Sequence, residues 1–113
     1  GRTVGAVYRR TRAGTPQAEV RTDGLAGCLR TARGGSSRQT IVVARDGAVR
    51  SRLLTPREGA RLMGLPDSYV LPTGSTAAFH VIGDGVAVPV VRWLSAHLLE
   101  PLLRDSLAPL AAE

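Results

Sequence analysis

The run Arg52-Leu53-Leu54-Thr55-Pro56-Arg57-Glu58-Gly59-Ala60-Arg61-Leu62-Met63-Gly64-Leu65-Pro66-Asp67 constrains this chain more than any other. It reads as a short, strongly marked helix. Thr55 is a good N-cap, and Glu58 follows three residues later, which makes a capping box. Pro56 takes the first helical position, where a missing N–H costs nothing. Leu54, just before the cap, is placed to staple to the first turn. Ala60, Leu62 and Met63 supply apolar contacts. Gly64 ends the helix and Pro66 blocks its continuation. Arg57, Glu58 and Arg61 are left to make polar contacts with neighbouring elements.

The side-chain order carries a further signal. Arg52-x-Leu54-Thr55-x-Arg57-Glu58-x-x-Arg61-Leu62-x-Gly64-x-Pro66-Asp67 resembles the ninth conserved block of the DNA cytosine-C5 methyltransferases. Further on, Ile82-Gly83-Asp84-Gly85-Val86-Ala87-Val88-Pro89-Val90 is similar to that family's tenth and last block, normally Gly-Asn-x-Val-x-x-Pro-Val. The two blocks stand in the family's order and at a fitting spacing. With the chain between them they cover about half of the sequence. The resemblance implies that residues before Arg52 belong to a target-recognition region.

A chain of 113 residues is at most one domain with a modest core. It opens on Gly rather than Met, which fits a fragment or a processed form. No segment resembles a signal peptide, and no apolar run is expected to reach the roughly 18 residues of a membrane span. A single cysteine excludes an internal disulfide framework, and no Cys/His cluster suggests a metal site. All fifteen basic residues are arginine. Residues 1–52 hold eleven of them against Glu19, Asp23 and Asp46, whereas residues 53–113 hold four against six acids. The front half is therefore expected to present a basic surface. Such a surface attracts polyanions, and the planar fork of arginine suits phosphate and guanine.

From the N-terminus, Val4 to Arg9, Ala18 to Thr22 and Gly27 to Thr31 read as short strands, with Cys28 packed inside the third. Gly14-Thr15-Pro16 and Asp23-Gly24 are turn signals. Arg30-Thr31-Ala32-Arg33-Gly34-Gly35-Ser36-Ser37-Arg38-Gln39 is a loop by composition. Glycine lets backbone N–H groups approach a phosphate, serine adds small donors, and arginine neutralises phosphates or reads guanine edges. Arg30, Thr31, Arg33, Gly34, Gly35, Ser36, Ser37 and Arg38 are therefore the candidate DNA contacts. Thr40 to Arg45 is the clearest strand, and Asp46-Gly47 turns it back into Ala48 to Leu53.

After the capped helix comes a connector to Ser75. Thr76 to Ile82 reads as one or two helical turns holding the single Phe79, and Gly83-Asp84-Gly85 as a break. A longer helix is expected from about Val86 to Arg104, kinked or restarted at Pro101. Its apolar residues occupy more than one face, so it needs burial on two sides and implies a missing partner surface. Residues 105–113 read as a frayed tail. The expected fold class is α+β: a small irregular antiparallel β region (1–53), the capped helix and connector (54–75), then a turn and returning helix (76–104).

The resemblance implies the rest. Family members flip a cytosine out of the duplex, attack it with a cysteine thiolate and methylate it from S-adenosylmethionine. The Pro-Cys, Glu-Asn-Val and Phe-x-Gly-x-Gly blocks that carry this chemistry are absent here, so the chain holds no catalytic residue. It is similar to only the C-terminal portion of a two-domain α/β methyltransferase. Asp84, Gly85 and Val86 would stand beside the cofactor, with Asp84 where the family has Asn. A carboxylate keeps the acceptor and loses the amide donor. Arg52, Thr55, Arg57, Glu58 and Arg61 would form the polar framework of the recognition domain. The implied partners are double-stranded DNA and an N-terminal catalytic domain, on the same chain or a separate subunit. No membrane partner is implied, and the location is expected to be the bacterial cytoplasm, at the nucleoid. The alternative is a stand-alone arginine-rich DNA-binding module. RNA binding is a weaker third reading, because no stacking aromatics recur at regular spacing.

Overall fold

The computed structural model describes residues 1–31 and 38–111, with side chains to Leu107. Four antiparallel strands open the chain: β1 (Arg2–Arg12), β2 (Thr15–Arg21), β3 (Thr40–Arg45) and β4 (Ala48–Leu53). They form one sheet in the order β2-β1-β3-β4. Two tight turns build it. Ala13 and Gly14 carry φ 48 and 77 between β1 and β2, and Asp46 and Gly47 carry φ 50 and 78 between β3 and β4. Such left-handed pairs match the twist of a hairpin.

Helix α1 (Pro56–Leu62) follows, then α2 (Ser75–Asp84), α3 (Val88–Leu94), a π-helical turn (Ser95–Leu99) and α4 (Glu100–Ala111). The fold is α+β, as expected. Its core is small: Leu54, Ala60, Phe79 and Ile82, with Leu29, Ile41, Met63, Leu65 and Leu71 packed around them. It sits where the end of the β3–β4 hairpin meets α1 and α2. Beyond it the molecule is extended, measuring 71 × 35 × 35 Å. Its radius of gyration of 19.3 Å exceeds the roughly 13 Å of a compact domain of this length.

Several expectations need correction. Gly27 to Thr31 is not a strand. At its start the backbone bonds to a side chain instead: Gly27 N–H donates to Gln39 Oε1 (2.9 Å), and Gln39 Nε2 donates to the carbonyls of Gly27 (2.7 Å) and Cys28 (3.4 Å). Gln39 is buried. A buried amide of this kind satisfies a loop that a ladder would otherwise have to satisfy. Cys28 is exposed rather than packed. Gly83 and Asp84 do not break the chain but complete α2, and the bend falls at residues 85–87.

Pro101 falls in the first turn of α4, which starts at Glu100 directly after the π turn, in line with the restart expected there. It lacks an N–H and its ring crowds the carbonyl four residues back. The wider π turn just before α4 relieves that crowding by shifting the bonding pattern, with Glu100 N–H donating to Ser95 O. Helix also continues through residues 105–111, where a tail was expected. Finally, Ser75–Leu107 is apolar and helical enough to cross a membrane by length and composition alone. Scattered polar residues hide that length from a count of uninterrupted apolar ones. Part of the apolar content has another use, because Ala78, Phe79 and Ile82 of α2 fill the core.

Candidate nucleic-acid interface

The register of the sheet sorts its side chains. Cross-strand partners share a face, and neighbours along a strand alternate. Arg2 pairs with Arg45, Val4 with Val43, Ala6 with both Ile41 and Arg21, and Arg10 with Gln17. Val43 pairs in turn with Arg50, and Ile41 with Arg52. One face therefore carries Arg2, Arg10, Arg12, Arg21, Arg45, Arg50 and Arg52, with Glu19 as its only acid. The opposite face carries Arg9 alone. Among the described residues, acids partner five of the seven. Arg10 and Arg12 share Glu19, Arg21 meets Asp23 at 2.5 Å, Arg45 meets Asp46, and Arg52 meets Glu58. Arg2 and Arg50 have no such partner. Glu19 is held below the usual carboxylate range by the Arg12 hydrogen bond and then by the Tyr8 hydroxyl. Asp23 is lowered by Arg21. These acids stay ionised and space the guanidinium groups without neutralising the face.

Helix α1 borders this face and is built as its sequence requires. Thr55 accepts from Glu58 N–H, and the Glu58 carboxylate accepts from Thr55 N–H (3.0 Å), so the capping box is closed. The same carboxylate takes a two-pronged bond from Arg52, at 2.8 and 2.6 Å. Arg52 first, then the Thr55 backbone, pull the Glu58 pKa down to about 2. Arg61 grips Asp67 in the same way (2.7 and 2.9 Å), and this contact lowers the Asp67 carboxyl. Arg57 donates to Tyr69 O at 2.9 Å. Arg52, Arg57, Glu58 and Arg61 thus tie the hairpin, α1 and the following turn into one frame. Between that frame and residues 24–26 runs an open groove of about 450 Å³. Its floor is Val4, Ala6, Ile41 and Val43, and Arg2 and Arg21 stand at its edge.

Residues 32–37 separate the two described ends of the arginine loop, so Arg33, Gly34, Gly35, Ser36 and Ser37 lie outside the described residues. Both described ends rest on α2. Gly83 allows the backbone of Arg30 and Thr31 to approach so closely that a Cβ there would sit 2.3 Å from Thr31 N and 2.4 Å from Arg30 C. Arg38 lies over the Phe79 ring, 4.8 Å from its centre, a favourable stacking of cation on aromatic face. Gln39 closes the base through Gly27 and Cys28, and its own carbonyl accepts from Leu54 N–H at 2.8 Å. Arg30 is exposed.

The two motif-bearing segments also touch each other. Val88 N–H donates to Met63 O at 2.9 Å. Gly64, at φ 77, leaves room for the Pro89 ring, which a Cβ would meet at 2.3 Å. Asp84 ends α2, Gly85 and Val86 follow it, and all three are exposed. Val86 lines a shallow apolar hollow of about 350 Å³ with Val88, Val91 and Ala96. Past it, Val90, Trp93, Leu98, Leu102 and Leu103 are half or more exposed. Trp93 stacks on His97 at 4.5 Å.

A model of the C-5 cytosine-specific DNA methylases matches residues 5–100, which takes in the sheet, the loop and both motif-bearing segments. The chain belongs to that family. Among curated relatives, the Type II methyltransferase M.HpaII of Haemophilus parainfluenzae is 47% identical over 51 residues, which is 45% of this chain and 14% of that one. M.SsoII of Shigella sonnei is 37% identical over 51 residues, covering 45% and 14%. M.MspI of a Moraxella species is 39% identical over 61 residues, covering 54% and 15%. The chain therefore spans about one seventh of the length of these relatives. No solved structure matches it.

From the sequence a basic front half is expected, but only loop residues stand out as contacts, so the arginines of the sheet face are not singled out. The signal was present. Arg10 and Arg12, and again Arg50 and Arg52, stand two apart in strand-forming stretches, which places each pair on one side.

Proposed function

We propose that this chain is the C-terminal, DNA-recognising portion of a cytosine-C5 DNA methyltransferase, working with a catalytic domain carried on other polypeptide. The observation that best supports the reading is the uncovered apolar helix. It leaves the second motif directly, and nothing among the described residues buries it. Monomeric soluble surfaces rarely leave so continuous an apolar strip open. A catalytic domain would cover it, while the arginine-bearing face and the loop would meet double-stranded DNA.

The division of labour follows from the chemistry. A base inside a duplex is inaccessible, so the target cytosine must leave the stack. The residues here hold the duplex while that happens. Phosphate contacts set position, and loop contacts to base edges set sequence. The reacting thiolate belongs to the partner domain. When bound, S-adenosylmethionine supplies the methyl group. Asp84 and Val86 fit it as one wall. They offer an exposed carboxylate at the C-terminal, electronegative end of α2 and an apolar edge, which suit a cationic cofactor. The wall is too open to hold the cofactor alone. The name Type II in the relatives suggests a restriction–modification setting, in the cytoplasm at the bacterial nucleoid.

A radiolabelled methyl-transfer assay tests this. The chain alone should be inactive and should restore activity when mixed with the N-terminal part of a close family member. Duplex binding with no transfer in any such mixture would favour the stand-alone DNA-binding module.

A further inference from the structure

Three arginines converge where the arginine loop leaves the sheet. A hollow of about 280 Å³ opens there between β1, β2 and residues 26–30. Arg10, Arg21 and Arg30 line it together with Tyr8 and Cys28, and Arg9 and Gly27 complete the lining. Gly27 is what lets the loop pass over the sheet, since a Cβ there would sit 2.5 Å from the Tyr8 ring. The volume falls below the roughly 300–1,000 Å³ typical of small-molecule pockets. The wall is mainly polar, so the hollow suits a compact anion better than an apolar ligand.

Charge sets the sign of that ligand. Asp23 is committed to Arg21 through two bonds, and Glu19 to Arg12 and Tyr8. Arg10 reaches Glu19 only at 3.9 Å. Arg30 has no acidic partner among the described residues. Asp23 offsets Arg21 and Glu19 is shared between Arg10 and Arg12, so the positive surplus of the hollow rests on Arg30 and on the loosely held Arg10. The hollow's position sets the ligand's source. Arg30 is the first residue of the loop, and its carbonyl rests against α2 at Gly83. A duplex reached by that loop carries its phosphate backbone past the loop's root.

We propose that this hollow seats a single backbone phosphate of the bound DNA duplex, a clamp separate from the base-reading loop. The inference rests on the DNA-recognition reading above and adds to it a specific site. Cys28 supplies an internal reporter, because it is exposed, lines the hollow and is the chain's one cysteine.

The experiment has two readouts on the 113-residue chain. The first is the alkylation rate of Cys28 by iodoacetamide in the presence of duplex DNA, duplex RNA or inorganic phosphate. The second is the salt dependence of duplex affinity by fluorescence anisotropy for the wild-type chain, R10Q/R30Q and a control, R92Q. The expected result is slower alkylation with duplex DNA. R10Q/R30Q should lower the slope of log K against log salt by about 0.9, the value for one phosphate, and R92Q should leave it unchanged. Normal binding with an unprotected Cys28 and an unchanged slope overturns the clamp and leaves the DNA-recognition reading standing. Protection by inorganic phosphate or duplex RNA but not duplex DNA overturns it in favour of a free-anion or RNA site. No duplex binding at all overturns both. The Cys28 readout uses the wild-type chain, so a misfolded variant cannot decide the outcome.

Discussion

Replacing Gly83 by alanine sets two physical effects against each other, and the structure determines which wins. Gly83 lies inside α2 with ordinary helical backbone. On helix propensity alone, Gly→Ala in a helix interior stabilises by about 1 kcal/mol. The added methyl, however, would lie 2.3 Å from Thr31 N, 2.4 Å from Arg30 C and 2.7 Å from Arg30 O. All three are backbone atoms, and no flexible side-chain end can swing away. Either α2 or the root of the loop must therefore move by about an ångström. Overpacking of this kind costs about 1–3 kcal/mol, and a shifted root also strains the Gln39 clamp on Gly27. The expected net effect of G83A is a destabilisation of about 1 kcal/mol. Duplex affinity should fall further than stability does, because Arg30 leaves its place. Denaturant unfolding gives the first quantity and anisotropy with a labelled duplex the second. A G83A chain that is more stable than wild type, with unchanged affinity, would refute the close approach of the loop to α2.

Three other perturbations have definite outcomes. The Glu58 pKa is depressed to about 2 from a usual value near 4.5. Its contribution is therefore complete above about pH 4.5 and is lost as pH falls toward 2. At face value the shift is worth about 3 kcal/mol, which screening at half-exposed Arg52 reduces to about 1–2. E58Q should flatten stability against pH across that window, and an unchanged acid limb would refute the assignment. L98D/L102D should abolish restoration of methyl transfer by the catalytic partner. It should also leave the melting of the sheet and α1 within about 0.5 kcal/mol of wild type, since both positions are half exposed. A collapse of the isolated chain would mean that the helix packs on its own fold. R33A/R38A should weaken duplex binding and reduce the salt slope by roughly one for each phosphate left without its arginine. The R38A single variant should also cost about 0.5–1 kcal/mol of stability, because the Phe79 ring then has no cation stacked on it.

Local signals made the clearest elements legible. The capping box, Pro56 and Gly64 delimit α1 within a residue, because caps and stops act through neighbours in sequence. Asp46-Gly47 placed the β3–β4 hairpin for the same reason. What stayed hidden depends on partners far along the chain. Gly27 to Thr31 has strand composition, but the backbone groups of Gly27 and Cys28 are taken by the side chain of Gln39, far along the chain. Gly83 and Gly85 look alike in sequence. Only the passing backbone of Arg30 shows that one serves close approach inside a helix and the other the bend after it. Pro101 marks the restart at α4, but the π turn that makes room for it has no signature in the sequence. The candidate surface divides in the same manner. The loop stood out by composition; the spacing of two puts Arg10 with Arg12 and Arg50 with Arg52, but only the register shows that these pairs share one face with Arg2, Arg21 and Arg45.

A short chain of contacts connects the two halves of the proposed machine. Pro89 rests on Gly64, and Val88 bonds to Met63, so the start of the apolar helix is fixed to the end of α1. Arg52 and Glu58 fix α1 to the hairpin. Gly83 fixes α2 to Arg30, and Phe79 fixes it to Arg38. A partner docked on α3 and α4 therefore pulls on the same small core that holds both ends of the arginine loop. That core contains only four well-buried hydrophobic residues, and so small a core yields little stability by itself. Covering the exposed helix would add apolar burial at its margin and so stiffen the loop's base. Duplex affinity should consequently rise when the catalytic partner is present, even for a partner surface that touches no DNA. Anisotropy titrations with and without the partner measure this directly, and equal affinities would show that the two halves grip independently.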